Sequence, residues 1–268
     1  MRQVRRILIL GSGTDALDAS DWPREDFDAI VAINNAWQVR PDWTHLIYPE
    51  DFPPERRPQH IDAGSQSIVT AQEFVPVQNM FGGFVYAGGT MAFTAGYWAL
   101  GVLKPDVMAF FGCDMIYAAA NTHFYGRGTA DPLRKDITLQ SLEAKSARLM
   151  LMAARQGCLT VNLSRQKDSR LVFPRFARET VAGWTSMELR EAFDQSNAIS
   201  DADAAEDVIQ READLGYMAK SGRYWDELDR FDPAELRKLD ALWLQAALPS
   251  NPVSERIPVE REKQQRRA

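Results

Sequence analysis

The sequence predicts an α/β protein built on a mostly parallel sheet. Short apolar segments, typical of strands covered on both faces, alternate with longer segments of helical pattern. This β-α-β alternation favours right-handed crossovers within one open sheet. We therefore expect a Rossmann-like nucleotide-binding domain over residues 1–176 and a helical extension or lid over 177–248. The charge-rich residues 249–268 are expected to form a disordered tail.

Three strands are predicted near the N-terminus, at Arg6–Leu10, Phe27–Ile33 and Thr44–Tyr48. Each ends where turn-forming or polar residues begin, which is where open sheets of this kind bind ligands. The residues that follow the three strands are, in order, Gly11-Ser12-Gly13-Thr14, Asn34-Asn35 and Pro49-Glu50-Asp51.

Residues 74–103 carry no charge, a length that raises the question of a membrane span. Six glycines and two amide side chains fall within them, so we expect a buried strand or loop and then a buried helix at Thr90–Leu103. Ser67–Phe74 is expected to form a strand or a short helix. The apolar run before Gly11 is too short for a signal peptide. These features predict a soluble, cytoplasmic protein without a transmembrane segment.

The second half of the sheet is predicted from Val107–Phe111 and Cys158–Leu163, with a helix at Thr138–Gln156 between them. Residues 117–137 are polar and long for a connection, and loops of that length are usually functional. Helices follow between residues 185 and 248, with loops near 197–200 and 221–222. A capping box at Thr185 and an N-cap at Asp232 mark two of their starts.

Composition excludes some classes of function. The 268 residues have a formal net charge of −6, which argues against a nucleic-acid partner. The two cysteines, Cys113 and Cys158, form no metal-binding motif and are expected to be buried free thiols. A structural zinc site therefore lacks the ligands it would need, and the preferred interpretation has no metal site.

Glycine-bearing loops are the candidate nucleotide site. The residues Gly11, Ser12, Gly13 and Thr14 follow a strand, so their N–H groups can approach a phosphate, although a plain tight turn explains them equally. Asn34 and Asn35 offer amides to a base or a ribose, or else form a local turn. Gly88, Gly89 and Thr90 open a buried helix and can cradle an anion, or Thr90 simply caps the helix.

The candidate catalytic groups follow the strand Val107–Phe111. Asp114 lies just beyond the strand and could hold a ribose, a metal or an acceptor hydroxyl, or cap a turn. Tyr117 and Tyr125 can donate hydrogen bonds to a leaving phosphate. His123 is the one histidine in this polar segment and could act as a general acid or base near neutral pH.

Taken in order, these motifs resemble the bacterial sialyltransferases of glycosyltransferase family 42. They are also similar to the motility accessory factor glycosyltransferases and to the archaeal 6-hydroxymethylpterin diphosphokinases. The resemblance covers residues 5–175 and implies a GT-A-like variant of the Rossmann fold. It implies that residues 12–14 contact phosphate and ribose, that Asn34 or Asn35 contacts the nucleotide or sugar, and that residues 88–90 contact cytidine and the donor sugar. Tyr117, with Tyr125, would then stabilise the leaving phosphate without a metal.

Two positions depart from the sialyltransferase pattern. The catalytic histidine of that family aligns with Arg127, four residues after His123. The third strand ends in Glu50 and Asp51 in place of an asparagine, which is closer to the diphosphokinases. In that alternative Asp114, with Glu50 or Asp51, would help to hold Mg²⁺ and ATP.

We therefore expect a glycosyltransferase that uses a nucleotide-sugar donor, most plausibly a CMP-activated acidic sugar, and a glycan or other hydroxyl acceptor. No cofactor is required in this interpretation. The alternatives are an ATP- and Mg²⁺-dependent diphosphokinase acting on a pterin-like alcohol, and a nucleotide- or glycan-binding protein without catalysis. The aromatic residues Trp184, Tyr224, Trp225 and Trp243 are expected to pack rather than to form an acceptor platform. A homo-oligomer is left open.

Overall fold

The computed structural model describes residues 3–117, 123–126, 136–198 and 200–248. Its centre is a six-stranded sheet in the spatial order β4-β3-β2-β1-β5-β6, and all of its strand pairs are parallel. The Rossmann-like α/β fold is therefore confirmed. The strands are β1 (Arg6–Leu10), β2 (Ala29–Ile33), β3 (His45–Ile47), β4 (Ser67–Val69), β5 (Val107–Phe111) and β6 (Leu159–Asn162).

The strand order reverses beside β1. The chain builds the sheet outward from β1 to β4 and then returns to the other side of β1 with β5. Leu10 pairs with Ala32 of β2 on one side and with Phe111 of β5 on the other. The loops after β1 and β5 consequently lie side by side at the carboxyl edge, where open α/β sheets form their ligand crevice.

Eight α-helices flank the sheet in the described part of the chain. Thr90, Thr185 and Asp232 each accept an N-cap hydrogen bond from a backbone N–H of the helix that follows, as their positions in the sequence predict. The helices are α1 (Ala71–Met80), α2 (Phe84–Ala87), α3 (Met91–Trp98), α4 (Leu142–Ala154), α5 (Arg178–Gly183), α6 (Ser186–Asn197), α7 (Ala202–Leu215) and α8 (Pro233–Ala247).

The uncharged region differs from the expectation in its first half, which forms α1 and α2 rather than a strand or loop. Thr70 and Glu73 make a capping box that starts α1 before the uncharged run begins. The predicted element Ser67–Phe74 accordingly divides into β4 and the first turn of α1. No helix in the described ranges is long and apolar enough to cross a membrane.

The connection between α7 and α8 is also longer than predicted and contains only short 3-10 turns. Gly216 ends α7 with a φ of 63°, and Gly222 has a φ of 78°. These left-handed conformations stop the helix and turn the chain. Residues 221–225 of the connection lie beside the predicted site.

The helical extension packs on both faces of the sheet. Helices α7 and α8 lie against α4, where the buried Arg148 donates to Glu212 at 2.7 Å and to Tyr97 at 2.7 Å. A second buried pair joins Lys145 and Asp240 at 2.8 Å. Residues of α5 and α6 enter the core on the opposite face. The boundary at residue 176 stays a prediction, and Arg127 and the tail 249–268 lie outside the described residues.

Candidate functional site

A cleft of about 940 Å³ opens at the carboxyl ends of β1, β2, β3 and β5. The loops after these strands, the starts of α1 and α3, and the α7–α8 connection form its walls. All but one of the residues proposed from the sequence line this cleft: Gly11, Ser12, Gly13, Thr14, Asn34, Asn35, Gly89, Thr90, Asp114, Tyr117, His123 and Tyr125.

Gly88 is the proposed site residue that does not line the cleft. Its φ is 90°, and a Cβ atom there would lie 2.9 Å from Cγ of Lys145. The glycine therefore lets α4 pack closely against the turn before α3. Close packing against α4, rather than ligand binding, therefore explains the glycine at position 88.

The floor of the cleft is a close contact between the loops after β1 and β5. Gly11 N donates to Phe111 O at 2.8 Å, and Gly13 N donates to Gly112 O at 2.8 Å. A Cβ atom on Gly11 would lie 2.3 Å from Gly112 O, so only glycine fits at this position. The two backbones thus meet directly beneath the cleft.

Asn34 presents an unpartnered acceptor at the end of β2. Its φ is 52°, a left-handed conformation that asparagine tolerates better than most residues. Its Oδ1 atom is buried and has no hydrogen-bond partner among the described residues. The neighbouring Asn35 is buried, and its Oδ1 accepts from Gln38 at 3.5 Å. Asn34 is therefore the better placed of the two amides for a ligand.

The Gly89-Thr90 segment is partly used by the protein itself. The sequence predicts that the N–H of Gly89 is free to bind an anion. In the structure this N–H instead donates to Thr138 Oγ1 at 3.0 Å. Phe93 N donates to Thr90 Oγ1 at 3.4 Å, which confirms Thr90 as the helix cap. Both residues still line the cleft.

His123 is docked onto the loop after β1. Its Nδ1 lies 3.0 Å from Ser12 Oγ, and Phe124 N donates to Ser12 O at 3.1 Å. The imidazole stacks on Tyr125 with ring centroids 4.9 Å apart. Burial lowers the pKa of His123 from 6.5, and a hydrogen bond to the Ser12 backbone opposes this only in part. The imidazole is therefore neutral at pH 7 and able to accept a proton.

Tyr117 lies next to this histidine, with ring centroids 6.3 Å apart. Burial raises the pKa of Tyr117 to about 12, and the neighbouring Cys113 and Tyr125 add to the effect. Its hydroxyl consequently keeps its proton near neutral pH and can donate a hydrogen bond to a developing negative charge. Cys113 and Cys158 are buried and free, as expected.

Two carboxylates meet at the β1–β5 edge. Asp114 Oδ1 accepts from Asn162 Nδ2 at 3.1 Å, whereas its Oδ2 is buried without a hydrogen-bond partner among the described residues. Asp15 Oδ2 accepts from Ser164 Oγ at 3.0 Å. Burial raises the pKa of Asp15; the Ser164 bond opposes this and the charge of Asp114 adds to it. The sequence analysis missed Asp15, although it directly follows the glycine turn.

Other lining residues were not among the proposed site residues, and two of them, Tyr224 and Trp225, were expected to pack rather than to form an acceptor platform. Arg56, Lys167 and the segment Ser221–Trp225 of the α7–α8 connection contribute to the walls. Glu50 and Asp51, the residues of the magnesium alternative, line the cleft and are exposed. Within the described ranges no group of three or more His, Cys, Asp or Glu side chains could together hold a metal.

Comparisons with known proteins assign no function to this chain, so any proposal depends on the geometry of the cleft. No protein-family model matches the chain, and neither the curated proteins nor the solved structures give a significant match.

Proposed function

We propose that this protein is a glycosyltransferase that transfers a sugar from a nucleotide donor to a hydroxyl acceptor. One observation carries the proposal: His123, Tyr117 and Tyr125 share a single cleft with the glycine loops at the switch point of the sheet. A base and two hydroxyl donors beside backbone that can approach a phosphate form the set such a displacement needs.

The preferred donor is a CMP-activated acidic sugar, as in the family that the motifs resemble. Arg56 is the lining residue that supports an acidic sugar. Arg56 is half-buried in the wall, and no ion pair of its guanidinium is found within the described ranges. An unpaired cation in a cleft attracts a carboxylate or a phosphate.

Each group then has a defined task. His123 takes the proton of the acceptor hydroxyl, the acceptor oxygen bonds to the anomeric carbon, and the bond from that carbon to the phosphate oxygen breaks. CMP leaves with the electron pair, and the hydroxyls of Tyr117 and Tyr125 donate hydrogen bonds to its phosphate. Attack from the face opposite the leaving group inverts the anomeric centre.

Thermal shift tests the donor site directly. We would compare CMP, CDP, CMP-sialic acid, UDP, GDP and ATP, each with and without Mg²⁺. A ligand at 100 times its Kd stabilises the folded state by about 2.7 kcal/mol, which raises the Tm by about 5–10 °C. Metal-independent stabilisation by cytidine nucleotides supports the proposal, and a flat response to every nucleotide contradicts it.

Donor turnover tests the base. His123→Ala should abolish transfer and leave cytidine-nucleotide binding intact. His60→Ala is the matched control, because His60 is exposed and does not line the cleft. Unchanged turnover in His123→Ala removes this histidine from the mechanism.

The pair Asp15 and Asp114 favours a second candidate, an ATP- and Mg²⁺-dependent diphosphate transfer to a pterin-like alcohol. Magnesium is commonly held by one or two carboxylates together with substrate phosphates. The unpartnered Oδ2 of Asp114 and the adjacent carboxylate of Asp15 fit that chemistry. In this case only ATP with Mg²⁺ would raise the Tm, chelator would cancel the effect, and Asp114→Asn would lose it.

A further inference from the structure

One aromatic residue of the helical extension behaves differently from the others. Trp184, Tyr224 and Trp243 are buried, so the expectation that they pack is confirmed. Tyr224 and Trp225 both line the cleft, and Trp225 differs in that 52% of its surface is exposed. A large amphipathic ring exposed inside a cleft is the type of group that binding sites use as an anchor.

Two contacts just before Trp225 in the chain hold this segment in place. The hydroxyl of Tyr224 donates to Asp136 Oδ2 at 2.6 Å. At Gly222 the chain passes so close to α1 that a Cβ atom would lie 2.9 Å from Val75. The indole is therefore presented to the cleft from an anchored segment, which lowers the entropy cost of binding a ligand to it.

Charged groups flank the indole. The guanidinium of Arg223 lies over the Trp225 ring, 5.4 Å from its centroid, and donates to Asp226 at 2.8 Å. Glu50, from the loop after β3, also lines the cleft. The hydrogen bond to Asp226 and the charge of Asp226 raise the pKa of Arg223, and the charge of Glu50 adds to this effect. An indole ring with a guanidinium over it and a carboxylate close by matches a pyranose ring, which has a C–H face and hydroxyls at its edge.

We propose that Trp225 is the stacking platform of a sugar-acceptor subsite, with Arg223 and Glu50 binding hydroxyls of the stacked pyranose. The inference rests on the proposed function and names its acceptor class as a glycan. The α7–α8 connection then supplies the acceptor side of the cleft, while the loops after β1, β2 and β5 supply the donor side.

Binding of simple glycosides tests the subsite. The probes are the methyl glycosides of glucose, galactose, mannose and N-acetylglucosamine, measured by saturation-transfer NMR with the full-length protein and saturating CMP. We expect at least one probe to bind. Trp225→Ala should weaken it about 10-fold or more, and Trp225→Phe should restore most of the affinity. Leu228→Ala is the control, because Leu228 is 48% exposed nearby but does not line the cleft.

The outcomes separate the subsite from the donor site. Trp225→Ala should keep the Tm increase that cytidine nucleotides give, since the variant removes only the acceptor contact. Equal glycoside affinity in the native protein and Trp225→Ala overturns the proposal, as does the absence of binding by every probe. A protein that binds a glycoside through Trp225 but no nucleotide contradicts the proposed donor chemistry and leaves the subsite standing.

Discussion

The contact between the loops after β1 and β5 can be tested by adding one methyl group. In Gly11→Ala the new Cβ atom would lie 2.3 Å from Gly112 O and 2.6 Å from Cys113 Sγ. Non-bonded carbon atoms are comfortable only at about 3.5 Å or more, so the loops would have to separate by about 1 Å. Two backbone hydrogen bonds of 2.8 Å cross this contact, which leaves little room for adjustment.

The loss of stability in Gly11→Ala follows from this clash. Forcing an extra methyl group into a packed site typically costs about 1–3 kcal/mol. For a chain of this size each kcal/mol corresponds to about 2–4 °C in Tm, so we expect a fall of about 2–12 °C. Gly13→Ala should cost less, because its Cβ atom would lie 2.9 Å from Gly112 O. Cytidine-nucleotide affinity should fall in the same order, because the same loops form the floor of the cleft.

Thermal denaturation followed by circular dichroism measures the effect. Gly183→Ala is the control, since a Cβ atom there meets no atom within 4 Å. Its Tm should stay within about 2 °C of the native value. If Gly11→Ala melts within about 1 °C of the native protein and binds nucleotide equally well, the loops are not in the contact described, and the reasoning fails.

Three further predictions concern charge. Because burial lowers the pKa of His123 from 6.5, kcat/KM for transfer should fall on the acid side with its half-maximum below pH 6.5; a half-maximum above pH 6.5 would argue against His123 as the base. The raised pKa of Asp15 means that its ionised form destabilises the folded state as the pH rises through that pKa. Asp15→Asn should therefore have a higher Tm than the native protein at pH 7, and the gain should vanish as the pH falls towards 3.8; a gain that persists at low pH would contradict this origin. Glu212→Gln should lose about 3–5 kcal/mol in urea denaturation because the buried Arg148 loses its counter-charge, whereas Glu206→Gln, at an exposed pair, should lose under about 1 kcal/mol; equal losses would show that burial does not set the cost.

Much of the fold was predictable because its signals are local. Continuous apolar runs marked β1, β2 and β5, and these strands are buried on both faces as such runs require. Most of the site followed from the same argument, because parallel strands bring their carboxyl ends to one edge. The start of α1 could also have been predicted from the sequence, since Thr70 and Glu73 have the spacing of a capping box.

The missed residues depend on contacts between distant parts of the chain. Nothing local distinguishes Trp225 from Trp243, yet one lines the cleft and the other is buried against Arg148. Likewise, Asp15 accepts a hydrogen bond from Ser164, which follows β6 and lies 149 residues later in the chain. How deeply such residues are buried, and which hydrogen-bond partners they have, depends on how α7, α8 and β6 pack. Composition and periodicity do not encode that packing.

A chain of hydrogen bonds joins the two sides of the cleft. Tyr224 donates to Asp136 at 2.6 Å, Thr138 donates to the same carboxylate at 2.7 Å, and Gly89 N donates to Thr138 at 3.0 Å. The α7–α8 connection is thereby tied to the Gly89-Thr90 segment on the sheet side. Because this chain is partly buried, losing one of its hydrogen bonds should cost about 0.5–1.5 kcal/mol. The relative placement of Trp225 and the helix start at Thr90 is therefore set by the folded protein before any ligand arrives.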